Sequence, residues 1–254
     1  LGQLAGALAD AGFIVARYDR RGVGQSGGRS ESAGFEAYGD DGRTMVRFLD
    51  RRDDVDEDRI TVLGYAEGGL AAMVIADRER RTDDLVLVGS PGTSGEELVL
   101  EQQRTELERI SSPATESLEK IALQRRIHQA VLGEGGWEGV PRDMRRQADN
   151  VAFRSFLEFD VPEALDRVRQ PILIMRGSLD ERFAEHHTDQ LVEIASARRR
   201  NVASDLVVLD GVDHLMIERR DVGDAEYLSL EQQSISQQFI DRLLDWLNRP
   251  RERR

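Results

Sequence analysis

The stretch ITVLGYAEGG, residues 60–69, contains the pattern that best indicates the fold of this 254-residue chain. Its first four residues form an apolar run that predicts a buried β-strand, and a helical pattern begins at Leu70. The glycines at positions 64 and 68 permit a tight strand-to-helix turn, because a residue without Cβ lets the backbone approach closely. Such a turn holds its central residue at the end of a sheet, which is the geometry of a nucleophile elbow.

The centre of this turn is Ala66, at the position where a nucleophile elbow carries serine. The backbone N–H of the next residue, Glu67, is expected to point into the same site, where it can stabilise an oxyanion. An alanine side chain has no atom that can attack a carbonyl. The pattern therefore predicts a nucleophile position that is vacant.

Strand and helix patterns alternate outward from this turn. Apolar runs predict strands at residues 13–18, 60–63, 85–88, 172–175 and 206–209. Amphipathic spacing predicts helices at residues 1–11, 35–50, 70–76, 185–195 and 230–247. This order predicts an α/β fold with a mostly parallel sheet and helices on both faces.

The alternation stops between residues 94 and 165, where only helical patterns occur. A group of helices inserted between two sheet segments is typical of a cap or lid. We therefore expect a core formed by residues 1–93 and 166–248, an inserted helical cap at residues 94–165, and a solvated tail at residues 249–254.

The composition excludes several classes of function. Lys and Arg number 35 against 48 Asp and Glu, and the resulting net charge of −13 disfavours nucleic-acid binding. The chain has no cysteine, which excludes disulfides and thiolate catalysis. No apolar run approaches the about 18 residues of a membrane span. The sequence leaves the oligomeric state and the compartment open, with a cytoplasmic location slightly favoured.

Two polar residues follow the later predicted strands. Asp180 comes just after the strand at 172–175, and His214 follows the strand at 206–209. Because the carboxyl ends of parallel strands meet at one edge of a sheet, we expect both side chains near Ala66. The chain order of nucleophile, acid and base is that of a triad built on a nucleophile elbow. Glu181 and Asp189 are weaker candidates for the acid.

Together these segments resemble the α/β-hydrolases, and in particular the bacterial serine esterases and peptidase-like members with a helical cap. The resemblance is carried by YDRRGVGQS at residues 18–26, by the elbow, by GSPGT at residues 89–93, and by the segments that contain Asp180 and His214. It implies hydrolysis of a carboxylic ester or related acyl bond in a small-molecule substrate, with no cofactor and no metal.

In the mechanism that the resemblance implies, a serine attacks the carbonyl, His214 moves its proton, and Asp180 holds the imidazole in the useful tautomer. The sequence departs from this pattern at Ala66. The family's first strands, and the His-Gly-type loop that supplies a second oxyanion N–H, are expected before Leu1.

A deliberate serine-to-alanine change and a natural loss of the nucleophile explain Ala66 equally well. The first makes the chain an inactivated hydrolase. The second makes it a non-catalytic pseudo-hydrolase that binds a small acyl or apolar ligand.

Aromatic residues are the candidates for substrate contact, because ligand pockets are mostly apolar. Phe153 and Phe156 form an aromatic cluster near the end of the predicted cap, although core packing explains them as well. Tyr65, next to the vacant position, is the third candidate for substrate binding.

Two further patterns carry weaker hypotheses. His186 and His187 are adjacent on a predicted helix and should face different directions, which argues against a metal site. The segment GVGQSG, residues 22–27, matches the dinucleotide-binding pattern G-x-G-x-x-G. No helix pattern opens at these glycines, so a structural loop is the favoured interpretation.

Overall fold

The computed structural model describes residues 1–198, 202–219 and 233–250. Within them, one parallel sheet has the strand order β1-β2-β3-β4, so sequence neighbours are also neighbours in space. The strands are β1 (Thr61–Tyr65), β2 (Asp84–Val88), β3 (Ile172–Leu179) and β4 (Ser204–Asp213). The predicted fold class is therefore confirmed.

Helices connect and flank these strands throughout the described residues. They are α1 (Gly2–Asp10), α2 (Phe35–Asp50), α3 (Gly68–Arg78), α4 (Gly95–Arg109), α5 (Ala114–Leu132), α6 (Arg142–Ala148), α7 (Val151–Leu157), α8 (Val161–Arg167), α9 (Glu185–Ala197) and α10 (Gln237–Leu247). Side chains at four of the helix starts, including Ser94 and Asp160, accept a hydrogen bond from a first-turn N–H, as N-caps do.

Both faces of the sheet are covered by helices, because successive residues of a strand point to opposite faces. In β2, Leu85 and Leu87 pack with α3, α8 and α9 in one buried cluster. Val86 and Val88 pack with α1 and α10 in a second cluster on the other face. All four residues are essentially inaccessible, so β2 is apolar along its whole length, as a strand buried on both faces must be.

Five helices, α4 to α8, lie between β2 and β3 in the sequence. Three of them, α5 to α7, form a small buried cluster of their own, composed of Ile127, Val131, Ala148 and Leu157. The last helix of the five, α8, instead contributes to the cluster beneath α3 and α9. No helix of the described residues is both long enough and apolar enough to cross a membrane.

The prediction of a strand at residues 13–18 is wrong. This segment has no strand pairing, and its apolar side chains Ile14, Val15 and Tyr18 are 37–47% exposed. A groove lined by residues of this segment and of β1 lies between the two. Because a strand exists only with a partner in a hydrogen-bonded ladder, an apolar run that pairs with no neighbouring strand stays irregular.

The remaining elements differ from the predictions only at their ends. β3 and β4 extend four residues beyond the predicted strands, to Leu179 and Asp213. The last helix begins at Gln237 rather than at 230. Residues 230–232 of that predicted helix, and 251–254 of the predicted tail, lie outside the described residues.

Candidate active site

Ala66 lies in a sharp turn between β1 and α3. Its φ is +51°, a left-handed conformation that non-glycine residues rarely adopt and that costs of order 1–3 kcal/mol. The Ala66 N–H donates to the Val88 carbonyl at 2.9 Å, which fixes the turn against the end of β2. A Cβ at Gly64 would lie 2.5 Å from the Gly69 Cα, so the turn has no room for a side chain there.

Glu67 is the N-cap of α3. The first N–H groups of a helix have no intrahelical acceptor, and the helix dipole favours negative charge beside them. The Glu67 carboxylate reaches away from the backbone and pairs with Arg182 at 2.8 Å, at the exposed rim of the site. The backbone of this residue is thus at a position where an anion is favoured, while its side chain is neutralised by an arginine.

Asp180 and His214 lie against each other at the carboxyl ends of β3 and β4. Oδ2 of Asp180 is 2.9 Å from Nδ1 of His214. Oδ1 of Asp180 accepts hydrogen bonds from the N–H groups of Arg182, at 2.9 Å, and Phe183, at 3.0 Å. Asp180 is 8% exposed. A buried carboxylate held by two backbone donors keeps a fixed orientation, and it favours the imidazole tautomer with its proton on Nδ1.

His214 is bordered by two aromatic rings and by a glycine. The ring centroids of Tyr65 and Phe183 lie 5.2 and 5.3 Å from that of the imidazole. Gly89, with φ +50°, follows β2; a Cβ there would be 3.2 Å from Oδ2 of Asp180 and 3.3 Å from Nδ1 of His214. Sequence reasoning missed Phe183 and Gly89. Phe183 was signalled only by its place directly after the Asp180 segment, whereas Gly89 opens the GSPGT segment that carries the family resemblance.

The side chain of Ala66 is buried in an apolar environment. It forms a cluster with Leu98 of α4 and Phe183, and Tyr65 and Phe156 pack against this cluster. Phe153 lies elsewhere: it packs against the buried cluster of α5 to α7 and makes an edge contact with His128. Of the three aromatic candidates for substrate contact, the structure therefore brings Tyr65 and Phe156 towards Ala66. Glu181 and Asp189, the weaker acid candidates, are exposed.

Glu101, His186 and His187 bring three potential ligand atoms together. Nε2 of each histidine lies 3.2 Å from Oε2 of Glu101, and the two imidazole centroids are 4.2 Å apart. The expectation that these adjacent rings face different directions is wrong, because they stack at the start of α9. The Gly92 N–H donates to Nδ1 of His187 at 3.2 Å, so a neutral ring carries its proton on Nε2. A protonated Nε2 cannot ligate a metal, so the donor set fits a contact between α4 and α9 better than a metal site.

The glycine-rich segment at residues 22–27 forms turns and does not open a helix. Gly22 and Gly24 have positive φ, and a Cβ at Gly24 would meet the Asp19 carboxylate at 2.1 Å. A dinucleotide site requires these glycines at a helix N-terminus that faces the pyrophosphate. The segment therefore has the geometry of a structural loop.

The fold and this site define the chain as an α/β-hydrolase. Residues 1–135, more than half of the sequence, match the family model of the serine aminopeptidases S33, and the chain belongs to this family. A search of curated proteins found no match.

Solved structures with the same fold are distant in sequence. DcsB, solved in complex with a substrate analogue, is 16% identical with a TM-score of 0.58, over 97% of this chain and 84% of that protein. A hypothetical protein from Pseudomonas aeruginosa is 18% identical with a TM-score of 0.56, over 97% and 78%. An esterase from Pyrococcus furiosus is 14% identical with a TM-score of 0.56, over 84% and 66%. At these identities the likeness establishes the fold alone.

Proposed function

We propose that this chain is a serine-hydrolase scaffold for carboxylic esters or related acyl bonds, inactive or nearly so while Ala66 occupies the nucleophile position. The observation that carries the proposal is the 2.9 Å contact between Asp180 and His214, beside a strand-to-helix turn whose central residue has φ +51°. Residues 94–165 are proposed as the cap over this site.

Each group has a distinct role in the proposed reaction. A serine at position 66 would attack the acyl carbon while His214 accepts its proton through Nε2, and Asp180 would stabilise the imidazolium that forms. The Glu67 N–H would donate to the oxyanion. His214 would then return the proton to the leaving group. Without a nucleophile the first step cannot occur, and such a loss lowers kcat by about a millionfold in a serine protease.

The test is the Ala66→Ser variant, assayed on short p-nitrophenyl esters. We expect it to hydrolyse them and to release an initial burst of nitrophenol, because an acyl-enzyme that forms faster than water hydrolyses it accumulates in the first turnover. The unsubstituted protein should show no burst. Adding His214→Ala to Ala66→Ser should abolish the activity, whereas adding His186→Ala, which removes an exposed histidine, should leave it intact. An Ala66→Ser protein that is folded but inert on a varied panel of acyl substrates would contradict the proposal.

A second candidate function is binding without catalysis. The observation that favours it is Ala66 itself, whose methyl group packs with Leu98 and Phe183 in an apolar cluster where a serine hydroxyl would need a polar partner. A ligand that binds only the folded state raises the melting temperature by mass action. We therefore expect short acyl esters or fatty acids to raise the Tm of the unsubstituted protein if this candidate is correct. An unchanged Tm over millimolar concentrations would contradict it.

A further inference from the structure

Tyr65 directly precedes Ala66 and contacts His214 in two ways. Its hydroxyl donates a hydrogen bond to the backbone carbonyl of His214 at 2.9 Å. Its ring lies against the imidazole, with centroids 5.2 Å apart and planes inclined by 33°. One side chain therefore holds both the main chain and the ring of the same histidine.

We infer that Tyr65 is a positioning residue that fixes His214 relative to residue 66, a role that rests on the proposed function of the site. The sequence suggested Tyr65 as a substrate contact. In the structure, the Tyr65 hydroxyl already donates its hydrogen bond to the His214 carbonyl, so it has no hydrogen left to donate to a substrate.

The topology makes this contact important. Tyr65 ends β1 and His214 follows β4, and these strands lie at opposite edges of the four-stranded sheet, with β2 and β3 between them. Asp180, at the end of β3, orients the imidazole, and it reaches the turn that contains Ala66 only indirectly, through Arg182, whose guanidinium pairs with Glu67. The Tyr65 side chain makes that connection directly, over 149 residues of sequence.

Other hydrogen bonds of the turn that contains His214 are local or lead towards α10. Asp213 accepts a hydrogen bond from the Ile217 N–H at 3.0 Å, and the Met216 N–H donates to the Asp213 carbonyl at 3.0 Å. The Met216 carbonyl in turn accepts from the N–H of Ser236, the N-cap of α10, at 2.7 Å. These bonds shape the turn without fixing its distance from β1. Loss of the Tyr65 hydrogen bond would therefore leave the turn intact and loosen its attachment to residue 66, where the Phe183 ring would remain as an apolar contact with both His214 and Ala66.

The protonation state of Tyr65 suits this role. Burial, with the nearby carboxylates of Asp180 and Asp213, raises the pKa of the phenol to about 12. The hydroxyl thus remains a hydrogen-bond donor at neutral and moderately alkaline pH.

The first experiment uses the unsubstituted Ala66 protein and does not depend on catalysis. The Nδ1–H proton of ¹⁵N-labelled His214 is followed by NMR in Tyr65→Phe, which keeps the ring and removes the hydroxyl. We expect this proton to exchange with water about tenfold faster than in the parent, because the shifted turn weakens its bond to Asp180. Tyr38→Phe is the matched control: it also removes a hydroxyl that donates to a backbone carbonyl, that of Ser30, and should change nothing.

The second experiment repeats the pair of substitutions in Ala66→Ser. Misplacement of a catalytic base lowers the rate of the chemical step, so Tyr65→Phe should reduce kcat about tenfold and leave KM within about twofold. A substrate contact would instead raise KM. Tyr38→Phe should leave both constants at the values of Ala66→Ser.

The outcomes separate this inference from the proposed function. An altered His214 proton in an inert Ala66→Ser background would support the positioning role and contradict hydrolysis. An active Ala66→Ser with unchanged proton exchange and unchanged kcat in Tyr65→Phe would overturn the positioning role. Should Tyr65→Phe fail to fold, the hydroxyl proton of Tyr65 in the unaltered protein decides: rapid exchange of this proton with water would overturn the inference.

Discussion

At the scale of single residues, the site is defined by backbone conformations that most side chains avoid. Ala66 has φ +51° and Gly89 has φ +50°, and they lie at the ends of neighbouring strands β1 and β2. The strain at Ala66 persists only where the surrounding structure over-determines it, and strain of this kind is concentrated at functional sites. The flanking glycines predicted the turn at Ala66. The resemblance included Gly89 in the GSPGT segment, but no local pattern explained why glycine is needed there, because that need arises from the approach of residues 180 and 214.

Gly89→Ala should destabilise the protein by about 2–3 kcal/mol. The positive φ costs of order 1–2 kcal/mol for an alanine, and the new Cβ would lie 3.2 Å from Oδ2 of Asp180 and 3.3 Å from Nδ1 of His214. Urea unfolding at neutral pH measures this loss.

Gly133→Ala separates the two causes. Gly133 also has positive φ, +82°, but no atom of the described residues lies within 4 Å of the position that an alanine methyl group would take there. Gly133→Ala should therefore lose only the conformational cost of about 1–2 kcal/mol. Equal losses for the two variants would show that the Asp180–His214 pair tolerates a methyl group beside it.

At the scale of elements, hydrophobic periodicity predicted where helices begin and end, but contacts between helices determined the side-chain directions. The helix and strand patterns predicted α2 to its first and last residue, and they predicted α9 to within two residues of its end. Side-chain direction at a helix start was not predictable in the same way. His186 and His187 stack because Glu101, on α4, draws both rings to one carboxylate oxygen. Sequence spacing within α9 contains no information about α4.

Two buried histidines should make the stability depend on pH. Burial lowers the pKa of His187 on α9 and of His128 on α5, against the opposing effects of nearby Glu101 and Glu96. The folded state then binds fewer protons than the unfolded chain, whose histidines titrate near 6.5. We expect the free energy of unfolding to keep its highest value above pH 6.5 and to decline as the pH falls below 6.5. Urea unfolding at pH 7.5 and 5.5 measures the difference.

Substitution identifies the groups responsible. His187→Gln and His128→Gln should each reduce the difference in stability between the two pH values. His186→Gln, which removes an exposed ring, should retain most of it. A pH dependence that is the same in all three variants and the parent would refute this assignment.

At the scale of the whole molecule, the sheet and the inserted helices have separate buried clusters. The sheet is covered by one cluster on each face, whereas Ile127, Val131, Ala148 and Leu157 pack within α5 to α7. Separate clusters can open separately, since local unfolding follows the distribution of buried apolar contacts. This separate cluster covers only α5 to α7 of the proposed cap, since Leu98 of α4 packs with Ala66 and α8 packs beneath the sheet.

Val131→Ala and Leu173→Ala should affect different parts of the molecule. Leu173 is fully buried in β3, and its truncation should cost about 2–5 kcal/mol and lower amide protection throughout. Val131→Ala should cost about 1–2 kcal/mol and lower protection in α5 to α7 only. Hydrogen exchange followed by mass spectrometry measures both. Equal loss of protection in β3 for Val131→Ala would mean that the helices and the sheet unfold as one unit.

The sequence by itself determined the class of fold, the order of elements and the positions of Ala66, Asp180 and His214 at strand ends. These features follow from local patterns: apolar runs, amphipathic spacing, and glycines that permit tight turns. Only the tertiary structure decided that residues 13–18 form no strand, that the two adjacent histidines stack, and that Tyr65 and Phe183 border His214. Each of these depends on which distant segment lies beside a residue, and local sequence patterns carry no record of that neighbour.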